Sequence, residues 1–354
     1  MIFRLSPARH RVFGWWPISV NKWFVEKAER FLGQLELDLK LKKAQLDPHW
    51  DVDHICYRVE SRARYQELQQ EFQNLGELLV ETEVNGRPIS TFRLKSPLMF
   101  QDHEIHLLEL PAPKLHQMFK EGFEHIEVVC DLPFWDLQKR FMDLQFDLSG
   151  LRKNFNQELE VQLGERNLKF HHLSLESVIR LEKNTRSWNA LQKSRVLETL
   201  KYFDPRVAGT YPLGLENETS DLDILLQAED LEELRVLIMK EWGHCEGFRA
   251  REEEVDGLKT VIVQFLVDYV PFELFAQNRA TVRQTAYRHF LAQERALKYM
   301  PDATLQRLKD LRKAGVKTEP AFGDVLSLEG DPFAELLRWQ KKSALELRGW
   351  WGQA

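Results

Sequence analysis

A short motif occurs twice in the first half of the chain, and it constrains the fold more than any other feature. Asp53-His54-Ile55 opens the run DHICYRV, and Glu124-His125-Ile126 opens the run EHIEVVC. Both runs predict β-strands with a histidine near the start. An amphipathic helix candidate and further strand-like sequence follow each run. The chain therefore predicts two tandem βαβββ units, which are too small to close a sheet alone and should pair around a shared concavity.

The rest of the first half is interpreted from local patterns. A hairpin turn is predicted at Asn85-Gly86, because this pair favours the tight turns of two-residue hairpins. In the second unit the strand candidates are LEVQL and LKFHHLSL, separated by residues 164–167. We interpret residues 1–23 as an N-terminal segment and residues 24–177 as one domain.

Residues 178–354 show a different order of elements. Helical sequence comes first, followed by strand candidates RVAGTYP and DLDILLQ, a helix in DLEELRVLIMKEW, strand candidates TVIVQFLV and PFELFAQ, and a helical tail. This order predicts a compact α/β domain, and the whole chain is predicted to be α+β. The sequence around residue 178 has no linker composition, so we expect a rigid connection between the halves.

Composition excludes several classes of protein. The 354 residues are 43% hydrophobic and 29% charged, with a formal net charge of −6. That charge gives no global positive field for nucleic acid or anionic lipid, so a polyanion would have to be bound locally, through a metal. Cys56, Cys130 and Cys245 are far apart and odd in number, which argues against a disulfide framework and a structural zinc site. Without a membrane-spanning run, we expect a soluble cytoplasmic protein with its cysteines in the core.

Two carboxylates stand two residues apart on an apolar strand candidate. Asp221 and Asp223 occur in the run SDLDILL, and alternate residues of a strand face the same side. Two such acids would repel each other and would be costly to desolvate unless a divalent cation such as Mg²⁺ neutralised them. The plainer alternative is a solvated edge strand that follows an ordinary turn at Ser220 and Asp221.

A third acidic ligand is expected from a neighbouring strand. Glu273 lies between apolar residues in PFELFAQ, whereas the rival Asp268 lies in a turn-like stretch where aspartate commonly caps the backbone. We therefore rank Glu273 first. Gly209 and Thr210 precede the acids, and they would let backbone amides and a hydroxyl group approach nucleotide phosphates.

This combination of a glycine, a small hydroxyl residue, Asp-x-Asp and a later acid resembles the nucleotidyltransferase superfamily. The phrases GTYPLG and SDLDI more closely resemble an uncharacterised bacterial nucleotidyltransferase-like family. The resemblance implies Mg²⁺-dependent transfer of a nucleoside monophosphate from a nucleoside triphosphate to an unidentified acceptor. Asp221, Asp223 and Glu273 would hold the metal, and one of them would help to deprotonate the acceptor. Ser220 and Arg288 are further candidate contacts for the nucleotide.

The first half contains a second set of possible metal ligands. His54 and His125 occupy equivalent places in the two units, and Glu109 and either His171 or His172 lie on the strand that ends each unit. Such a set suits Fe²⁺, Mn²⁺, Ni²⁺ or Zn²⁺. Strand parity does not choose between His171 and His172, because neighbouring residues face opposite sides and the register is unknown from sequence. The plainer alternative is that these are satisfied polar residues of a sheet.

The phrases VDHICYRV, VNGRPISTFRL, LLELPAPK and GFEHIEVV resemble the YecM-type branch of the vicinal oxygen chelate fold. This resemblance implies a cupped sheet of paired βαβββ modules. It also implies a divalent-metal site on the strands that carry His54, Glu109, His125 and the pair His171-His172. The reaction is not implied, because this fold hosts isomerases, dioxygenases, lyases and metal-free binders.

Three functional hypotheses follow from these two sites. The first is a nucleotidyltransferase whose N-terminal domain binds or positions the acceptor. The second is a metal-dependent small-molecule enzyme of the oxygen-chelate kind, with a C-terminal domain that binds nucleotide without turnover. The third is a non-enzymatic ligand-sensing protein that has lost both activities.

Overall fold

The computed structural model describes residues 21–84, 86–114 and 120–351. Residues 1–20 of the predicted N-terminal segment and Asn85 of the predicted hairpin turn lie outside the described residues. The elements of the N-terminal half are α1 (Asn21–Leu41), β1 (Asp51–Arg58), α2 (Arg62–Phe72), β2 (Gly76–Val84), β3 (Arg87–Phe100), β4 (His103–Pro111), β5 (Gly122–Val129), α3 (Phe134–Arg140), β6 (Phe146–Asp147), β7 (Leu159–Leu163) and β8 (Arg166–His171).

These eight strands form one sheet in the order β2-β3-β4-β1-β5-β8-β7-β6. Within the first unit β1 pairs in parallel with β4, and within the second β5 pairs in parallel with β8. The two units meet where β1 and β5 pair antiparallel. The predicted tandem βαβββ arrangement is therefore confirmed, with the histidine strands β1 and β5 at its centre.

One face of this sheet is apolar and packs against helices. The side chains of α1 that are buried recur at three- and four-residue steps, and they join Val52, Ile55 and Tyr57 of β1 in one hydrophobic core; they are Phe24, Ala28, Leu32, Leu35 and Leu39. Because successive residues of a strand point to opposite faces, and a β-bulge shifts the alternation between Val52 and His54, His54 and Cys56 point away from this core. The polar residues of the two motifs therefore share the other face of the sheet.

The C-terminal half contains a second, five-stranded sheet in the order β11-β12-β13-β10-β9, in which β10 and β13 are parallel. No helix of the described residues is both long and apolar enough to span a bilayer. The elements are α4 (Leu175–Lys183), α5 (Thr185–Ser194), α6 (Val196–Thr199), β9 (Arg206–Ala208), α7 (Thr210–Leu213), β10 (Leu222–Gln227), α8 (Leu231–Trp242), β11 (Arg249–Val255), β12 (Leu258–Val267), β13 (Val270–Gln277), α9 (Thr285–Tyr299), α10 (Asp302–Lys313), α11 (Thr318–Val325), α12 (Pro332–Trp339) and α13 (Ala344–Trp351).

The α+β class is confirmed, and three elements differ from the sequence pattern. β6, the second strand of the second unit, has only two residues, and so few residues leave almost no hydrophobic pattern in the sequence. β8 ends at His171, earlier than the run LKFHHLSL predicts, because the hydroxyl group of Ser174 accepts a hydrogen bond from the amide of Ser177 and caps α4. β11 is an edge strand that the pattern does not predict, since its residues are almost all exposed.

Helices α4 and α9 connect the two halves. The amide of Leu175, at the start of α4, donates to Asp53 Oδ2 over 2.9 Å. From α9, Glu294 accepts a hydrogen bond from Ser174 Oγ over 2.5 Å, and Lys298 Nζ lies 2.6 Å from Asp51 Oδ1. The predicted boundary at residue 178 lies within α4. The connection is a helix with contacts to both halves.

Glu294 should make the stability of the protein depend on pH. Its carboxyl group is buried at the joint between the halves, and burial raises its pKa to about 7. The folded state therefore keeps a proton that the unfolded state releases, so stabilisation that is complete below the ordinary carboxyl pKa is lost as the pH rises through 7. We expect this group to lower the free energy of unfolding by about 2 kcal/mol between pH 5.5 and pH 8.

Urea denaturation of the full chain at several pH values measures this effect. Glu294→Gln keeps a side chain of the same shape that can still bond to the serine hydroxyl groups, and it should remove this part of the pH dependence. Equal pH slopes for wild type and Glu294→Gln would contradict the assignment.

Candidate functional site

The three predicted acids of the C-terminal half meet at the centre of its sheet. Asp223 on β10 lies opposite Ala208 of β9 on one side and opposite Glu273 of β13 on the other. Asp221 directly precedes β10 and reaches the same side. One carboxylate oxygen from each of the three acids lies within 4.8 Å of the other two. The structure thus brings together the group that the sequence predicts.

Ionisation of all three carboxyl groups at once is strongly unfavourable in the folded protein. Burial raises the pKa of Asp223 well above its ordinary value, and the charges of Asp221, Glu273 and Glu319 raise it further. Burial also raises the pKa values of Asp221 and Glu273. A divalent cation among the three oxygens would offset most of this negative charge, and hard carboxylate oxygens are the ligands that Mg²⁺ prefers. The donor set therefore fits Mg²⁺.

Gly209 leaves the space that Asp223 occupies. Its φ angle is +74°, and a Cβ atom at this position would lie 1.7 Å from Asp223 Oδ2. No other residue fits this backbone and this contact, which explains the glycine of the predicted loop. Thr210 follows at the start of the short helix α7, so the glycine loop lies directly beside the acid group.

The rival acid Asp268 does not join this group. Asp268 and Tyr269 form the two-residue turn between β12 and β13, with φ angles of +48° and +62°. The carboxylate of Asp268 lies 2.5 Å from Lys193 Nζ. The choice of Glu273 over Asp268 thus agrees with the geometry.

Ser220 and Arg288, the two further candidate contacts for the nucleotide, form hydrogen bonds with other residues of the protein. Ser220 Oγ accepts from the amide of Asn217 over 2.9 Å and donates to its side-chain oxygen over 3.1 Å, which closes the turn before Asp221. Arg288 Nε donates to Gln340 Oε1 over 2.9 Å. Contact of either residue with a nucleotide stays a prediction.

In the N-terminal half, each repeated histidine is held by the acid that precedes it. Strand β1 has an extra residue, Asp53, at a β-bulge opposite β5, and β5 has an extra residue, Glu124, at a second bulge opposite β1. His54 Nδ1 donates to Asp53 Oδ2 over 2.9 Å, and His125 Nδ1 donates to Glu124 Oε2 over 2.9 Å. Such bonds fix the ring orientation and leave Nε2 as the free lone pair.

A third imidazole is oriented in the same way. His171 Nδ1 donates to the carbonyl oxygen of Leu173 over 2.7 Å. The Nε2 atoms of His54, His125 and His171 are all buried, and none has a hydrogen-bond partner among the described residues. Oxygens of Glu127 lie 3.6, 3.1 and 3.7 Å from these three atoms. Three imidazole nitrogens thus surround the single carboxylate of Glu127.

This arrangement fits a divalent metal. Ligand atoms of His54, Glu109 and His125 lie within 4.8 Å of one another. Burial alone would lower the pKa of His54, but the carboxylates of Glu127 and Asp53 raise it well above its ordinary value. The raised pKa means that the carboxylates favour a second proton on the His54 ring. A metal cation bound to Nε2 would take the place of that proton. Two imidazoles and a carboxylate with further imidazole nearby suit a transition metal.

His172 is a correction to the predicted ligand set. Its Nε2 atom donates to the carbonyl oxygen of Leu132 over 2.8 Å, and its ring lies 4.2 Å from that of Phe134. Because neighbouring residues of an extended chain face opposite sides, His172 points away from the group that His171 borders. Burial and the charge of Arg206 lower its pKa well below the ordinary value, so it is neutral in this setting.

The cysteines are all free thiols, and Cys56 and Cys130 are buried. Cys56 also lies within reach of Glu124 and His125 in a possible ligand group. Burial and the charge of Glu109 raise its pKa well above the ordinary value, so it is held as a neutral thiol. Cys56 is therefore a buried thiol on the polar face of the sheet, whereas Cys130 belongs to the hydrophobic core as predicted.

Sequence reasoning missed several residues of the two sites. Glu127 had a local signal, since it lies two residues after His125 and alternate residues share a face. Asp53 and Glu124 were visible as the acids that open each motif, but their role depends on the bulges. Glu319 had no local signal, because α11 brings it near Asp223 only in the folded chain.

Comparison with known families divides the chain in the same two parts. Residues 20–165 match the family described as YecM protein, and residues 189–339 match a domain of unknown function, DUF4269. Protein YecM of Escherichia coli strain K12 is 31% identical over 148 residues, which are 38% of this chain and 79% of that protein.

Two solved structures are also similar to parts of the chain. The structural-genomics protein EC4020 has 26% sequence identity and a TM-score of 0.39, and the match covers 48% of this chain and 98% of that chain. The GLD-2/RNP-8 complex has 15% identity and a TM-score of 0.29, with 44% of this chain and 58% of that chain covered.

Proposed function

We propose that this chain, which belongs to the YecM family through its N-terminal half, transfers nucleoside monophosphates from a nucleoside triphosphate through its C-terminal half. The observation that carries the proposal is the convergence of Asp221, Asp223 and Glu273 beside the loop at Gly209. Buried acids with raised pKa values in such a group are typical of metal-assisted phosphoryl transfer.

Each residue has a defined task in this reaction. Asp221, Asp223 and Glu273 would hold Mg²⁺, which supplies positive charge to the phosphate oxygens when it is bound. The backbone at Gly209 lets the triphosphate approach the acids without a side chain between them. The acceptor oxygen forms a bond to the α-phosphorus, the bond from that phosphorus to pyrophosphate breaks, and the acceptor proton passes to a carboxylate of the group.

A nucleotide titration tests the proposal. The full chain is titrated by calorimetry with each of the four ribonucleoside triphosphates, with and without Mg²⁺, and pyrophosphate release is followed. We expect Mg²⁺-dependent binding that Asp221→Ala/Asp223→Ala abolishes. Asp268→Ala is the matched control, because this acid lies in the same domain but outside the group, and it should bind as wild type does. Failure of the wild type to bind any of the four nucleotides would contradict the proposal.

The N-terminal half supports a second candidate function, a divalent-metal centre for a small-molecule ligand. The three buried Nε2 atoms of His54, His125 and His171, which converge around the carboxylate of Glu127, favour it. This centre belongs to the hypothesis of an oxygen-chelate enzyme with an accessory nucleotide domain. A chain that binds neither metal nor nucleotide would instead support the non-enzymatic hypothesis.

A further inference from the structure

The two βαβββ units can be aligned residue by residue through their strand registers. His54 and His125 are equivalent, because each follows the acid that opens its motif. In the first unit, Cys56 of β1 pairs with Glu109 of β4. In the second, Glu127 of β5 pairs with Lys169 of β8. Lys169 therefore occupies the position in the second unit that Glu109, a member of the candidate ligand group, occupies in the first.

Lys169 lies within the polar face of the sheet, next to the histidines. Its Nζ atom is 2.9 Å from Glu127 Oε1 and 4.0 Å from Glu158 Oε1. Only 16% of its side chain is exposed, compared with 12% for Glu127. An ammonium group has three donors and no lone pair, so it does not coordinate a metal. The second unit thus contributes a fixed positive charge where the first contributes a carboxylate.

We propose that Lys169 is the anion-binding residue of the N-terminal metal centre, and that the centre takes a small organic anion such as a carboxylate. This inference rests on the second candidate function. A divalent metal held by His54, Glu109 and His125 keeps a net positive charge, and the second unit presents the Lys169 ammonium group, paired with Glu127, at the position where the first unit presents Glu109. An anion that binds the metal there would also accept a hydrogen bond from the ammonium group, in competition with Glu127.

The test uses cobalt(II) as the metal and azide as the probe anion. The full chain carries Asp221→Ala and Asp223→Ala, so that cobalt reports on the N-terminal centre, and the visible spectrum of cobalt is followed during azide titration. In this background Lys169→Met should still bind cobalt, but its azide affinity should fall about tenfold or more, since a charge-assisted hydrogen bond is lost. Lys139→Met is the matched control: this lysine side chain is 77% exposed on α3, and its loss should leave azide affinity unchanged.

Two further variants separate charge from structure. Lys169→Arg keeps the positive charge and should retain azide binding. Retained binding would show that the loss in Lys169→Met comes from the missing charge and not from a disturbed fold. Lys169→Glu supplies the carboxylate that the symmetry of the units lacks, so cobalt should bind about tenfold more tightly and azide should bind more weakly.

The outcomes distinguish the two levels of the proposal. Normal cobalt binding with unchanged azide affinity in Lys169→Met would overturn the role of Lys169 and leave the metal centre intact. Failure of the parent protein to bind cobalt would overturn the metal centre itself, and the role of Lys169 with it.

Discussion

Asp223→Asn should abolish nucleotidyl transfer, with a loss of rate of about a thousandfold or more, because it removes the central charge of the metal-binding group. Asp223 is flanked by Asp221 and Glu273, and its own carboxylate packs against Gly209. Asparagine fills the same space but neither neutralises a cation nor accepts the acceptor proton. Pyrophosphate release under saturating Mg²⁺ measures the loss.

The same variant should be at least as stable as wild type when metal is absent. Burial and three neighbouring acids raise the pKa of Asp223 well above its ordinary value, so ionising it in the folded state costs free energy. The amide removes that cost. Chemical denaturation at pH 8 without Mg²⁺ checks this part of the prediction. Wild-type transfer by Asp223→Asn would refute the assignment, and a large loss of stability would show that the acid is structural.

His54→Ala should remove the metal of the N-terminal centre, with a loss of affinity of about a hundredfold or more, because one of the ligands is lost. His54 has its Nδ1 atom bonded to Asp53 and its buried Nε2 atom free of hydrogen bonds to the described residues. Metal analysis of the purified full chain after dialysis against a limited chelator measures the loss.

His172→Ala is the matched control for this prediction. His172 is equally buried and directly follows β8, but its ring packs on Phe134 and faces away from the ligand group. Its replacement should lower stability through lost packing and leave the metal content unchanged. Equal metal content in wild type and His54→Ala would disprove the metal centre. Metal loss in His172→Ala would show that His172 faces the ligand group.

The repeated motif was enough to predict the architecture of the first half. Two copies of a histidine strand, each followed by a helix and strands, allow few arrangements, and β1 and β5 pair at the centre as this symmetry requires. The choice between His171 and His172 needed the structure, because the register of a strand is set by its neighbours. The bulges at Asp53 and Glu124 were equally hidden, since they arise from pairing between strands that are far apart in sequence.

In the second half, local patterns predicted the strands of the acid group but not the edge of the sheet. Asp221, Asp223 and Glu273 stand in apolar runs, so their spacing is informative. The strand β11 has the sequence RAREEEV, which has almost no apolar residues to signal a buried face. It is held by backbone pairing with β12, and such pairing leaves no trace in hydrophobic periodicity.

Helix α4 makes the fusion of the two halves difficult to reverse. Its first amide supports Asp53, the acid that orients His54, while Leu181 on the same helix belongs to the core of the C-terminal half. A cut at residue 178 would take a hydrogen-bond donor from one half and a piece of the core from the other. If the two halves of this protein were made as separate chains, each would therefore need new residues at the cut.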